Sequence, residues 1–95
     1  KKVFKLKIIQ TYFTSGFINV GKEASKFLGE HDAILKLEYN DIQLEIPINR
    51  TNIGPDSVRL YKGQELTNLI KNNFQLNDVV AFEVINPLYI KLMTA

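Results

Sequence analysis

The chain has 95 residues, 45% hydrophobic and 23% charged, with a net charge of +2 and no cysteine. That length fits one globular domain and not two. The missing cysteines exclude disulfides and thiolate metal sites, and no apolar run approaches the ~20 residues of a membrane-spanning helix.

Charge is unevenly placed. Residues 1–26 carry Lys1, Lys2, Lys5, Lys7, Lys22 and Lys26 against Glu23 alone. Residues 27–49 reverse this, with Glu30, Asp32, Glu38, Asp41 and Glu45 against Lys36, before Arg50, Arg59 and Lys62 outnumber Asp56. A basic, acidic, basic order suggests one side that faces a polyanion, and solvated lysines would give the same pattern. The start at Lys1-Lys2 without Met and without a leader pattern reads as a segment of something longer.

In chain order, Val3, Phe4, Leu6, Ile8 and Ile9 alternate roughly with Lys5, Lys7 and Gln10, the period of a half-buried strand. Thr11 to Gly16 reads as a loop, and Phe17, Ile18 and Val20 as a short strand. Ala24, Phe27 and Leu28 share one face of a short helix that Gly29 is expected to end. Ala33–Tyr39 and Ile42–Ile48 each alternate around Asn40-Asp41, a tight hairpin turn that tolerates positive φ. Asn49 to Asp56 is a polar loop containing Gly54 and Pro55. Val58 and Leu60 mark another strand, and Leu66, Leu69 and Ile70 a second helical face. Asn77-Asp78 is a turn, Val79–Ile85 a strand, and Leu88–Leu92 the last strand after Pro87.

The order strand, tight connection, short helix, strand occurs twice. Ile18-x-Val20, Lys22, Ala24/Phe27/Leu28 and Ile34-Leu35-x-Leu37 are echoed by Val58-x-Leu60, Lys62-Gly63, Leu66/Leu69/Ile70 and Val79-Val80-x-Phe82. Neither copy buries its apolar face alone. Two copies face to face give a mainly β domain with two short helices, its seven strands curled into an open pseudobarrel.

A catalytic constellation is not legible. His31 is the single histidine, too few for a metal site that needs three or four ligands. Ser15, Ser25 and Ser57 lack a nucleophile-elbow context. Pro55-Asp56 has no carboxylate partner in Val58-Arg59-Leu60, and no glycine-rich phosphate loop is present. We therefore expect no enzyme activity from this segment, no metal and no cofactor.

Two segments combine polar side chains and aromatics in a way that a core does not require. The first holds Gln10, Thr11, Tyr12, Phe13, Thr14 and Ser15. The second holds Asn49, Arg50, Thr51, Asn52, Ser57, Arg59 and Tyr61. Arg pairs bidentately with guanine and Asn or Gln with adenine in the major groove, while hydroxyls and lysines hold phosphates. Arg59 should point away from the face shared by Val58 and Leu60. Both loops adjoin barrel strands and are expected side by side on one rim.

The residues Val58-Arg59-Leu60-Tyr61-Lys62-Gly63, then Leu66 to Ile70, then Asn73 to Phe82, resemble the B3 DNA-binding domain. In that family a strand passes through a Lys-Gly-type turn into a short helix, followed by Leu-x-x-Gly-Asp-x-Val-x-Phe. Leu76-Asn77-Asp78-Val79-Val80-Ala81-Phe82 is similar with shortened spacing, and Asn77 replaces the usual glycine at a turn where Asn tolerates the left-handed conformation. Phe17 to Lys22 resembles the family's first strand–helix step, with Gly21 in place of proline.

The resemblance implies sequence-specific binding of double-stranded DNA by two loop arms that grip the major groove like a wrench. By position these are Gln10–Gly16 and Asn49–Arg59. The DNA-binding residues implied are Gln10, Thr11, Tyr12, Thr14 and Ser15 on the first arm and Asn49, Arg50, Thr51, Asn52, Ser57 and Arg59 on the second, with Lys5, Lys7 and Lys22 positioning phosphates. The missing tryptophan favours the branch found in bacterial restriction endonucleases over plant transcription factors. That branch implies a cytoplasmic recognition or effector domain whose partner is duplex DNA, with no membrane and no small-molecule ligand; the oligomeric state of the parent stays open. Phe17–Leu28 also resembles swapped-hairpin bacterial transcription regulators. A protein-interaction barrel without a nucleic-acid role is the remaining alternative.

Overall fold

The computed structural model describes residues 2–51 and 57–93. Its elements are β1 (Lys2–Lys7), a 3-10 turn (Gln10–Phe13), β2 (Phe17–Asn19), α1 (Lys22–Ser25), β3 (Ile34–Tyr39), β4 (Ile42–Asn49), β5 (Arg59–Tyr61), α2 (Gln64–Asn73), β6 (Val79–Asn86) and β7 (Tyr89–Met93). The seven strands form one sheet in the order β1-β6-β7-β3-β4-β5-β2, curled as an open half-barrel. All pairings are antiparallel except β3 with β7.

Alternation sets the core. In β3 and β4, Leu35, Leu37, Ile46 and Ile48 point inward beside Leu60, Phe82 and Ile90, all fully buried. Helix α2 lays Leu66, Leu69 and Ile70 against them, the i, i+3, i+4 stripe of a core-facing helix. Tyr39 meets Ile42 directly across the β3–β4 hairpin, so the loop is the two residues Asn40-Asp41. Asn40 takes φ 52 there, and Asn77 takes φ 72 in the turn before β6. Both are left-handed positions that Asn occupies at lower cost than a β-branched residue.

The internal echo has a geometric basis. Strands β2 and β5 pair antiparallel with Ile18 opposite Leu60. Val20 donates its N–H to Val58 O (3.2 Å), and Lys62 donates to Gly16 O (3.0 Å), one bond on each side of that pair. A pseudo-twofold axis therefore passes between Ile18 and Leu60. It relates β1-β2-α1-β3 to β4-β5-α2-β6, with the antiparallel pair β1–β6 matching β4–β3. The strand correspondence is Ile18 with Leu60, one alternation step from the sequence alignment of Ile18 with Val58.

Several expected boundaries move. Part of the expected loop at Thr11–Gly16 is helical, since Gln10–Phe13 form a 3-10 turn. Helix α1 ends at Ser25, so Phe27 lies past it, exposed beside the Phe4 ring at 5.9 Å, and only Ala24 and Leu28 are buried. Gly29 does not end the helix; its N–H donates to Pro87 O at 2.9 Å. Leu88 is an exposed turn residue, and β7 begins one residue later at Tyr89. Gly16 sits at φ 73 with its α-carbon packed so closely on Gly63 that a Cβ would lie 2.5 Å from Gly63 Cα. This contact pins the end of the first connector to the start of α2.

Candidate nucleic-acid interface

Where Ile48, Leu60 and Ile18 point into the core, their neighbours must point out. Pairing of β4 with β5 sets Asn49 opposite Arg59, and pairing of β5 with β2 sets Arg59 opposite Asn19. The outer face of β4-β5-β2 thus carries the row Asn49–Arg59–Asn19, and Phe17 lies opposite Tyr61 one step along.

Arg59 is held in place within this row. Its Nε donates to Asn19 Oδ1 at 3.1 Å, and its guanidinium lies over the Phe17 ring at 3.9 Å to the centroid. No carboxylate pairs with it among the described residues, where the ion pairs are Lys26–Glu23, His31–Asp32 and Lys91–Glu38. A stacked guanidinium loses little conformational freedom when it binds a planar acceptor. Asn49 Oδ1 accepts from the Thr51 N–H (2.8 Å) and the Thr51 hydroxyl (3.0 Å), a local turn that starts the second connector. Most of the acidic stretch is kept apart: Glu38 and Asp41 lie at the β3–β4 hairpin end and Glu45 midway along β4, while Asn49 closes the other end of the strand.

The two connectors do not share a rim. Gly16, which ends the first, bonds Lys62 and Gly63 beyond the Tyr61 end of β5. The second leaves Asn49 and returns at Arg59, the opposite end of the same strand. Antiparallel register therefore places them at the two ends of the β2–β5 pair, with Arg59 and Tyr61 on the surface between.

On the first connector, Gln10, Thr11, Thr14 and Ser15 are exposed, and the Thr14 hydroxyl donates to Thr11 O at 3.3 Å. Tyr12 is not available as an exposed contact. It is 5% exposed, its hydroxyl accepts from the Asn19 N–H (3.3 Å), and it approaches Asn19 O (3.4 Å). The 3-10 turn points that ring inward, against Phe17 in an edge contact at 6.3 Å.

On the second connector, Thr51 is exposed, Ser57 half-buried, and Asn52 lies outside the described residues. Arg50 also departs from expectation. Its Nε donates to Gly29 O (2.8 Å), and its Nη2 donates to Ser25 O and Leu28 O (both 2.9 Å). These are carbonyls at and beyond the end of α1, which a helix of four residues cannot satisfy internally. The Arg50 side chain thus closes off the C-terminal end of α1, with its Nε and Nη2 taken up by these carbonyls. His31 steadies it from the other side, accepting the Arg50 backbone N–H on Nδ1 at 3.1 Å.

Lys5 and Lys7 are exposed on β1, which the strand order puts at the opposite edge of the sheet from β2, and Lys22 is exposed at the start of α1. None of the three belongs to the Arg59 row. Asn19 of that row and Phe17, which stacks on Arg59, were not read from the sequence as site residues. Their signal was the alternation itself, since burial of Ile18 and Val20 leaves Phe17 and Asn19 outside.

No family model matches the chain, and no curated protein matches it. Among solved structures it is similar to the N-terminal domain of Helicobacter pylori LlaJI.R1, with a TM-score of 0.70, 14% identity, and coverage of 97% of this chain and 79% of that one. At this identity the likeness is one of fold. No helix among the described residues is long and apolar enough to cross a membrane.

Proposed function

We propose that this domain binds double-stranded DNA in a sequence-dependent way. The outer face of β4-β5-β2 would read the major groove, and the two connectors would grip the duplex on either side. The observation that carries this reading is Arg59, stacked on Phe17, bonded to Asn19 and without a carboxylate partner among the described residues, in a row flanked by two asparagines. Arginine and asparagine are the side chains whose donors and acceptors match guanine and adenine edges. The placement of the connectors at both ends of a short strand pair suits a B3-like, wrench-type grip. At about 3.3 Å per residue, the three residues of β5 make a floor roughly 10 Å long, comparable to a major groove about 12 Å wide.

The similarity in fold to part of LlaJI.R1, a restriction-system protein, supports service as the recognition or effector module of a restriction endonuclease, with cleavage residing elsewhere in the parent. The test is a mobility-shift titration against a random duplex pool, with selection of the bound fraction and repetition over a salt series. Binding should enrich a short sequence and weaken with salt by roughly 0.9 log units per log unit of salt for each phosphate neutralised. Absence of binding to any duplex at low salt would overturn the proposal and favour a protein-interaction barrel.

A further inference from the structure

The pseudo-twofold axis exposes one position where the two halves differ. It relates Gly21 to Gly63 and Ser25 to Thr67. In both halves the helical residue donates its N–H to the glycine carbonyl, Ser25 to Gly21 at 3.1 Å and Thr67 to Gly63 at 3.0 Å. In the first half the hydroxyl is also fully used: Ser25 Oγ donates to Gly21 O and accepts the Val58 N–H at 2.8 Å. In the second half Thr67 is 6% exposed, and its hydroxyl has no hydrogen-bond partner among the described residues. No fully buried side-chain polar atom among the described residues lacks a partner, so this hydroxyl keeps a small accessible surface of its own.

Thr67 opens into a cleft of about 370 Å³ between the first connector and α2. Ser15 and Tyr61 line one side, and Gln64, Thr67 and Lys71 form one ridge of the helix. Gly63 keeps the start of α2 open: with no side chain there, the Tyr61 hydroxyl stands 3.4 Å from where a Cβ would be. The first N–H groups of α2 lack side-chain caps, and such unsatisfied donors favour an anion. Hydroxyl, ammonium and amide donors dominate the lining, and no carboxylate is among the described residues that form it.

The geometry points to this cleft as the seat of a backbone phosphate of the bound DNA strand, held by Thr67, Lys71 and the N-terminal N–H groups of α2. This inference rests on the DNA-binding reading above and assigns its phosphate anchor. The cleft adjoins Tyr61, at the first-connector end of the floor. A strand lying against Arg59 and leaving past the first connector would cross it.

The test uses the whole chain and the selected duplex, with each phosphate in turn replaced by an uncharged methylphosphonate. Wild type should lose about tenfold in affinity at one position beside the first connector. In Lys71→Ala and in the near-isosteric Thr67→Val, that replacement should cost nothing further, and Thr67→Ser should restore the loss. Lys71→Ala should also reduce the salt slope by about 0.9. Melting curves close to wild type would separate these effects from misfolding. If duplex binding is intact but no phosphate couples to Lys71 or Thr67, the cleft assignment is overturned and the DNA reading stands. If no duplex binds, both fall. In a parallel titration of inorganic phosphate without DNA, saturating amide shifts at Gln64 to Leu66, combined with no methylphosphonate coupling, would make the cleft a free-anion site and overturn its assignment to DNA.

Discussion

Arg50, on the second connector, and Arg59, on the strand it leads into, look alike in sequence but are held differently, and we expect a structural role for the first and a binding role for the second; Arg50→Ala tests this. The substitution removes donors from Gly29 O, Ser25 O and Leu28 O at once. Hydrogen bonds to a charged group are each worth about 1.5–3 kcal/mol when buried. Because the side chain is only partly buried, water would recover part of this, and a net loss of about 3 kcal/mol is reasonable. A chain of this size has roughly 5–14 kcal/mol of total stability. The midpoint of thermal unfolding should therefore fall by about 12–24 °C. Arg50→Lys should recover only a minor part, because one ammonium cannot reproduce the planar fork across three carbonyls. The assay is thermal and urea unfolding followed by circular dichroism, paired with duplex affinity measured well below the melting point. Affinity per folded molecule should stay within about threefold of wild type. An Arg50→Ala variant that unfolds like wild type but loses sequence preference would refute the cap and return Arg50 to the reading face.

Arg59→Ala should do the reverse: stability falls by only about 1–2 kcal/mol, from one hydrogen bond and one cation–π contact, while specific affinity falls tenfold or more on the selected duplex and less on a scrambled one. Tyr12→Phe should cost about 0.5–1 kcal/mol in urea unfolding, since its hydroxyl contacts are long, and leave duplex affinity unchanged. Gly16→Ala combines a left-handed φ with a Cβ 2.5 Å from Gly63 Cα, so it should destabilise by about 2–4 kcal/mol; a neutral result in the same assay would show that the two connections separate freely. Glu38 accepts the Tyr89 hydroxyl at 2.7 Å, which holds its carboxyl below the usual range and raises the Tyr89 phenol. Its contribution to stability is present above the unfolded carboxyl value of about 4.3 and is lost as pH falls below it; that of Tyr89 is present below about 10 and lost above. Glu38→Gln should flatten stability against pH on the acid side, and an unchanged acid limb would count against the bond.

Legibility in the sequence followed the locality of the cause. Alternation is local, so β3, β4 and the outward direction of Arg59 were readable. Turn chemistry is also local, and Asn40 and Asn77 occupy the left-handed positions it suggests. The failures are tertiary. Nothing near Arg50 in sequence indicates that Ser25, Leu28 and Gly29 need a donor, because that need arises from a helix stopping early on another part of the chain. Tyr12 looks like an exposed aromatic until the 3-10 turn folds it under Asn19. The expectation of one shared rim failed because it ignored register. Antiparallel pairing of β5 with both β4 and β2 fixes which connector lies at which end, and a sequence read strand by strand does not reveal pairing.

The same register explains how a chain with a net charge of only +2 can present a surface suited to a polyanion. What matters is which charges lie together, because exposed charges more than a Debye length apart, about 8 Å in physiological salt, are largely screened from one another. The β3–β4 hairpin carries Glu38 and Asp41 at one end of β4, with Glu45 midway along it, and Asn49 at the other end pairs with Arg59. Seven residue steps, roughly 23 Å at about 3.3 Å per residue, separate Ile42 at the start of β4 from Asn49 in that pairing. A duplex approaching the Arg59 face would meet the guanidinium and amides of the floor at contact distance and the tip of the acidic hairpin more than two screening lengths away. Net charge is thus a weak guide to the partner of this domain. A test follows from the distance itself: Asp41→Lys, in the hairpin loop, should change duplex affinity by less than about twofold at 0.15 M salt and by clearly more at 0.01 M, where the screening length grows to about 30 Å. A large effect at physiological salt would place the duplex across the hairpin rather than on the β2–β5 floor.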